Sequence, residues 1–187
     1  HVQKGGIYAT WALVQSFVPI FTGGFADRYG YKVNIAISTA LKIVGYLLMG
    51  YCIHIAESLA GMRLAEARPE GLDRTYEIFY AGAMFLALGT AIFKPGVQGM
   101  ISNQMPKGAS SLGWGLFYQM VNIGGFLGPL LAGYLRVMEW EYVFLACAAG
   151  ITLNFVPLFF FVEPEHHGDP DTASPLALIW RAVRGLL

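Results

Sequence analysis

Two lysines, Lys42 and Lys94, sit inside long apolar runs of this chain, where an ammonium group is out of place. A charged side chain near the centre of a bilayer costs at least about 2.5 kcal/mol and usually faces a cavity or a paired group. Lys94 is followed by Pro95, which removes one helix-ladder hydrogen bond and frees a carbonyl nearby. Gln98 lies one turn on and shares the face of Lys94. The next apolar run holds Tyr118 and Asn122, four apart, so a helix points both the same way. A lysine, an amide, a phenol and a second amide together suit recognition of a polar solute in a hydrated cavity. The plainer alternatives are a lysine that snorkels to the membrane surface and a Tyr118–Asn122 pair that only bonds a neighbouring helix. For Lys42 the alternative is a snorkelling or structurally paired lysine.

A second group of charges lies at one corner. Asp27, Arg28 and Lys32 fall between two apolar runs in "GGFADRYGYK", with Gly23 and Gly24 one turn earlier and Gly30 at the bend. A carboxylate at a helix end beside a low-dielectric boundary pairs strongly with a nearby cation, and breaking that pair biases a two-state equilibrium. The chemistry expected here is a conformational latch.

The elements that must position these groups are membrane spans. The 187 residues are 56% hydrophobic and 13% charged, with zero formal net charge. Ordinary soluble domains sit near 45–50% apolar and about 25% charged. The zero balance gives no basic excess for nucleic acid. Five stretches have the roughly 20 apolar residues a spanning helix needs: Ile7 to Ala26, Val33 to Ile55, Tyr76 to Ile101, Leu112 to Leu135, and Tyr142 to Val162. The polar stretch Ala56 to Thr75 suggests a short surface helix. The segment after Val162 reads as a polar linker, followed by the start of an interfacial helix carrying Arg181 and Arg184. His166 and His167 are adjacent beside Glu163, Glu165, Asp169 and Asp171. Adjacent side chains on an extended loop diverge, so a solvated linker is expected and no metal site. Cys52 and Cys147 lie in separate runs without ligand spacing. The chain opens on His1 rather than Met and is read as a piece of a longer protein. Loop Lys and Arg residues divide five against five between the two sides, so they do not orient the chain.

The corner follows G-x-x-x-D-R-x-G-x-K through Gly23, Asp27, Arg28, Gly30 and Lys32. It resembles the signature loop of the major facilitator superfamily, with Tyr31 in place of the usual basic residue. That resemblance implies an all-α membrane bundle, a cytoplasmic corner, and spans two to six of an N-terminal six-helix half over residues 1–162, with the linker over 163–187. The first helix and the second half would lie outside this chain. It also implies that Asp27 and Arg28 hold the cytoplasmic side closed in one state.

Two shorter stretches narrow the resemblance. "GTAIFKPGVQGMISNQM" places Gly89, Thr90, Lys94, Pro95 and Gln104 where proton-dependent oligopeptide transporters carry G-T-G-x-x-K-P…D-Q-F; Ala91, Asn103 and Met105 depart from it. "FYQMVNIGG" is similar to that branch's F-Y-x-x-I-N-x-G through Phe117, Tyr118, Asn122 and Gly124, with Val121 for Ile. The implied roles are a peptide cavity lined by Lys94, Tyr118 and Asn122, with Gln98 beside them, and a lysine that attracts the substrate carboxylate. The same helix carries Gly115, Gly124, Gly128 and Pro129, a G-x8-G-x3-G-P pattern that resembles the fifth-helix motif of proton-coupled drug antiporters, with Ala132 where that motif ends in Gly. Small residues at this spacing also form a close-packing groove whatever is transported.

The expected function is a proton-coupled secondary transporter of the plasma membrane that imports di- and tripeptides by alternating access, with no bound cofactor and the proton gradient as driving force. An antiporter exporting drugs or metabolites is the alternative, and a scaffold or sensor that kept the fold is a third. The expected partners are a small-molecule substrate, protons, lipid and the missing half of the same transporter. No Ser/His/Asp or Cys/His constellation and no phosphate loop is visible, so an enzyme is not expected.

Overall fold

The computed structural model describes residues 2–61, 69–106 and 108–162, without the side chains of residues 2, 23–28, 60, 69–73, 103 and 104. Among the described residues seven helices follow one another: α1 Val2–Tyr29, α2 Tyr31–Gly50, α3 Cys52–Ala60, α4 Pro69–Gln104, α5 Ser110–Met138, α6 Trp140–Thr152 and α7 Phe155–Phe160. Among the described residues there is no strand. Residues 163–187, including His166, His167, Arg181 and Arg184, lie outside the described residues, as does Lys107.

Among the described residues four segments are long and apolar enough to cross a membrane: Tyr31–Gly50, Arg74–Ser102, Ser110–Met138 and Trp140–Phe160. These coincide with four of the five expected spans. The remaining one, Ile7 to Ala26, is helical within α1 but is not among the four. Its described polar residues include Thr10, Ser16 and Thr22, whose hydroxyls donate back to Gly6 O, Ala12 O and Val18 O within the helix. Such back-bonding satisfies a hydroxyl inside lipid without a partner helix.

The boundaries differ from the pattern-based ones at three places. The second span stops at Gly50, and the chain restarts as α3 after the turn residue Tyr51. α3 ends on Gly61 at φ 66°, the left-handed conformation that favours glycine. The last span is broken at Leu153 and Asn154 into α6 and α7. α4 runs unbroken through Pro95. The corner between α1 and α2 is one residue, Gly30, at φ 90° and ψ 153°. A side chain at that φ would be strained, so the motif's second glycine has a conformational reason.

The core is the α2–α4 crossing. α2 packs most extensively on α4, α1 packs on α4, and α6 packs on α2. Gly82, Gly89 and Gly96 recur every seven residues and form one seam on α4. Opposite them α2 presents Tyr31, Asn34, Ile35, Ser38, Lys42, Gly45 and Met49, all buried. A Cβ at Gly45 would stand 2.7 Å from Gly82 O, and one at Gly82 would stand 2.8 Å from Gly45 O. The two backbones therefore touch, as small residues permit in membrane bundles. α5 rests mainly on α6 and only lightly on α4.

Candidate functional site

Lys94 projects from α4 toward α1, where its Nζ donates to Gln15 Oε1 at 3.0 Å. The lysine is not covered by the rest of the chain, and neither is Gln98 one turn away. Thr22 ties α1 to this part of α4, because its one hydroxyl proton is shared between Val18 O on its own helix (3.2 Å) and Ala91 O (3.3 Å). Lys94 is ten residues before the end of α4, and Lys42 is twelve residues past Gly30. At about 1.5 Å per residue both lie about 15–18 Å from the corner side, near the middle of a roughly 30 Å hydrocarbon layer. Lys94 thus shows its ammonium on the open side of the bundle at mid-depth, anchored by an amide from the neighbouring helix. Gln15 had no signal of its own in the sequence; only its position opposite a lysine marks it.

Tyr118 and Asn122 share a face of α5, and both are exposed. Tyr118 packs its ring against Phe117 (5.4 Å between centroids) and Trp114 (6.3 Å). Among the described residues no hydrogen bond or ring contact joins Tyr118 or Asn122 to Lys94. The reason is the light α4–α5 packing: among the described residues α5 has no neighbour that closes its open face. Added Cβ atoms at Gly115, Gly124 and Gly128 would meet nothing within 4 Å, and Pro129 lies inside the same helix.

Lys42 behaves differently. It is only 6% exposed, lies along the α2–α4 seam, and sets its Nζ 3.6 Å from the centroid of the Phe93 ring. Its stem fits because residue 89 is glycine: a Cβ there would stand 2.7 Å from Lys42 Cγ. Asn34, Ser38 and Thr39 on the same helix are fully buried. Ser38 donates to Ile35 O at 2.8 Å, while among the described residues the side-chain amide of Asn34 and Thr39 Oγ1 have no hydrogen-bond partner. Of the readings left open for Lys42, cavity-facing, snorkelling or structurally paired, the burial and the contact with Phe93 agree with the last. The lysine is held in the seam by an aromatic face, a cation–π contact. Asn34, Ser38 and Lys42 recur every four residues and so share one face of α2, but only the structure shows that α4 buries this face.

At the corner, Lys32 reaches across the bundle and donates to Phe161 O at 3.2 Å, at the C-terminal end of α7. An ammonium beside the last carbonyls of a helix is favoured by the helix dipole. This contact puts the end of the last span on the same side as the corner. Gly30 is buried at the bend, whereas the side chains of Gly23, Asp27 and Arg28 lie outside the described residues. Among the described residues no group of three or more His, Cys, Asp or Glu residues could hold a metal ion.

Comparison with known proteins places this arrangement. The chain is 35% identical over 71 residues to a peptide transporter of Yersinia enterocolitica, covering 36% of this chain and 14% of that protein. It is 30% identical over 160 residues to an uncharacterized transporter, YclF, of Bacillus subtilis, covering 82% of this chain and 28% of the relative. It is 21% identical over 162 residues to the quinolone resistance protein NorA of Staphylococcus aureus, covering 86% of this chain and 36% of the relative. The chain therefore spans between about one seventh and about one third of the length of these relatives. No solved structure matches it significantly. The family profile of the Major Facilitator Superfamily matches residues 2–186. A helical, multi-pass membrane chain with this match belongs to the major facilitator superfamily of transporters.

Proposed function

We propose that the whole protein is a proton-coupled secondary transporter of the plasma membrane that imports small peptides by alternating access. The observation that carries this reading is the mid-depth ammonium of Lys94, open to the unoccupied side of the bundle and held by Gln15 at 3.0 Å. A fixed cation in a water-lined, low-dielectric site attracts a substrate carboxylate more strongly than the same cation in water. The 71-residue similarity to a peptide transporter supports the same substrate class. Tyr118, Asn122 and Gln98 complete the cavity once α5 is pressed toward α4 by the remainder of the transporter. The corner, through Gly23, Asp27, Arg28, Gly30 and Lys32, latches the cytoplasmic side; Gly115, Gly124, Gly128 and Pro129 seat a neighbouring helix. The protein needs no bound cofactor, performs no chemical conversion, and takes its driving force from the proton gradient.

The test is uptake of a labelled dipeptide by the whole protein in proteoliposomes under an inward proton gradient. Losing a charge-assisted contact to a carboxylate costs about 1.5–3 kcal/mol, so Lys94→Ala lowers uptake efficiency by about tenfold to 100-fold. Uptake within about twofold of the parent would remove the lysine from the substrate path. A second reading is export of drug-like molecules, favoured by the glycine pattern of α5 and by the likeness to a quinolone resistance protein across most of this chain. Proton-driven quinolone extrusion without dipeptide uptake would select that reading.

A further inference from the structure

The Lys94–Pro95 step of α4 is met twice by α1. Pro95 has no N–H to donate, so Ala91 O, four residues earlier, loses its helix-ladder partner. Thr22 of α1 shares its hydroxyl proton with that carbonyl, at 3.3 Å. Seven residues before Thr22, Gln15 takes the ammonium next to the proline, with Oε1 3.0 Å from Lys94 Nζ. Seven residues are close to two helical turns, so Gln15 and Thr22 share one face of α1. That face holds the step at two points, the carbonyl freed by the proline and the charge beside it.

The chemistry of the Gln15 contact is specific. An ammonium only donates, so the amide oxygen must face it and the NH2 group is turned away. That nitrogen is buried and, among the described residues, has no hydrogen-bond partner. A buried donor left unmatched is unfavourable, so the lysine, and not the amide's own hydrogen bonding, sets this orientation. The amide is also neutral. It takes one of the three N–H donors of Lys94 and leaves the charge intact on the exposed side of the bundle. A carboxylate at this position would hold the lysine as firmly but would cancel its charge.

We propose that Gln15 is a positioning residue for Lys94, and that it makes the site select solutes with a free carboxylate. A lysine stem samples many rotamers, and ordering it only when the solute arrives lowers affinity. Gln15 orders the stem beforehand, so the remaining donors meet both oxygens of one carboxylate without that loss. The amide of the same solute offers one acceptor oxygen and no charge, and gains far less. The assignment rests on the proposed transport role of Lys94 and adds the residue that aims it.

The test is uptake by the whole protein in proteoliposomes under an inward proton gradient, with a labelled dipeptide as substrate and its C-terminal amide as competitor. Gln15→Met keeps the reach of the side chain and removes the acceptor. It is expected to raise the KM for the dipeptide about two- to tenfold, the range for one freed rotamer-rich side chain, with kcat unchanged. Inhibition by the dipeptide amide stays as in the parent. In a Lys94→Ala background Gln15→Met has no further effect, because no ammonium is left to aim. Gln15→Glu raises KM more steeply than Gln15→Met, since its carboxylate competes with that of the solute. Gln15→Asn, an amide one carbon shorter, repeats the Gln15→Met result and serves if methionine prevents folding. Equal weakening of dipeptide and amide, a full effect of Gln15→Met without Lys94, or an unchanged KM overturns the proposal. Normal dipeptide uptake by the Lys94→Ala protein defeats the transport reading and this one with it, whereas a Lys94→Ala defect beside a normal Gln15→Met protein defeats only the role of Gln15.

Discussion

Gly45→Ala is the sharpest perturbation of the α2–α4 seam. The added Cβ would lie 2.7 Å from Gly82 O, 2.8 Å from Leu86 N and 3.2 Å from Leu86 Cα. All three are backbone atoms, so no side-chain rotation relieves the clash. Ordinary contact begins near 3.4 Å, so the helices must separate locally by about 0.7 Å. A gap of that size forfeits about a quarter to a half of each dispersion contact it opens. The same separation loosens Gly89 from Lys42 and Gly96 from Asn34, which share the seam. Overpacking of this kind costs about 1–3 kcal/mol, against which alanine gains about 0.5–1 kcal/mol of helix propensity over glycine. At the middle of both ranges the net expectation is a loss of about 1 kcal/mol, or about fivefold in the folded-to-unfolded ratio. Gly150→Ala on α6 is the matched control, since its Cβ would meet nothing within 4 Å and only the propensity gain remains. Anionic-detergent unfolding of the whole protein reads both. Should Gly45→Ala prove as stable as its parent, or Gly150→Ala suffer the same loss, the backbone-contact account of the seam is wrong.

Two further changes separate structural cations from the transport path. Lys42→Met keeps most of the stem that lies on Gly89 and removes a charge from the membrane interior. The expected outcome is unchanged or higher stability, by up to about 2 kcal/mol, with dipeptide uptake kept; loss of uptake with intact stability would make Lys42 a working group instead. Lys32→Met removes the donor to Phe161 O, with an expected cost of about 0.5–1 kcal/mol, read in the same unfolding assay and diminished at high salt. A salt-independent effect would point to lost packing of the stem.

Much of the arrangement was legible in the residues. Four of the five expected spans, the Gly30 bend and the mid-span position of Lys94 follow from type and spacing, because lipid forces each run to satisfy its own backbone. The division of the second run at Tyr51 and of the last at Leu153 and Asn154 was not legible, since hydropathy is continuous across both breaks. Gln15 was invisible for another reason: an amide in a moderately polar helix acquires meaning only from the ammonium opposite it.

Composition and order alone settled that this chain is a stack of membrane-length helices with a charged corner and a lysine at mid-depth. They settled it because hydrogen-bond satisfaction in lipid is a local demand, met within each helix. What tertiary structure alone decided is the separation of the two lysines. Lys42 closes into a glycine-lined seam under Phe93, while Lys94 remains on the open side beside Gln15. Both have the same charge and nearly the same depth, and they differ only in which helix face the neighbouring backbone covers.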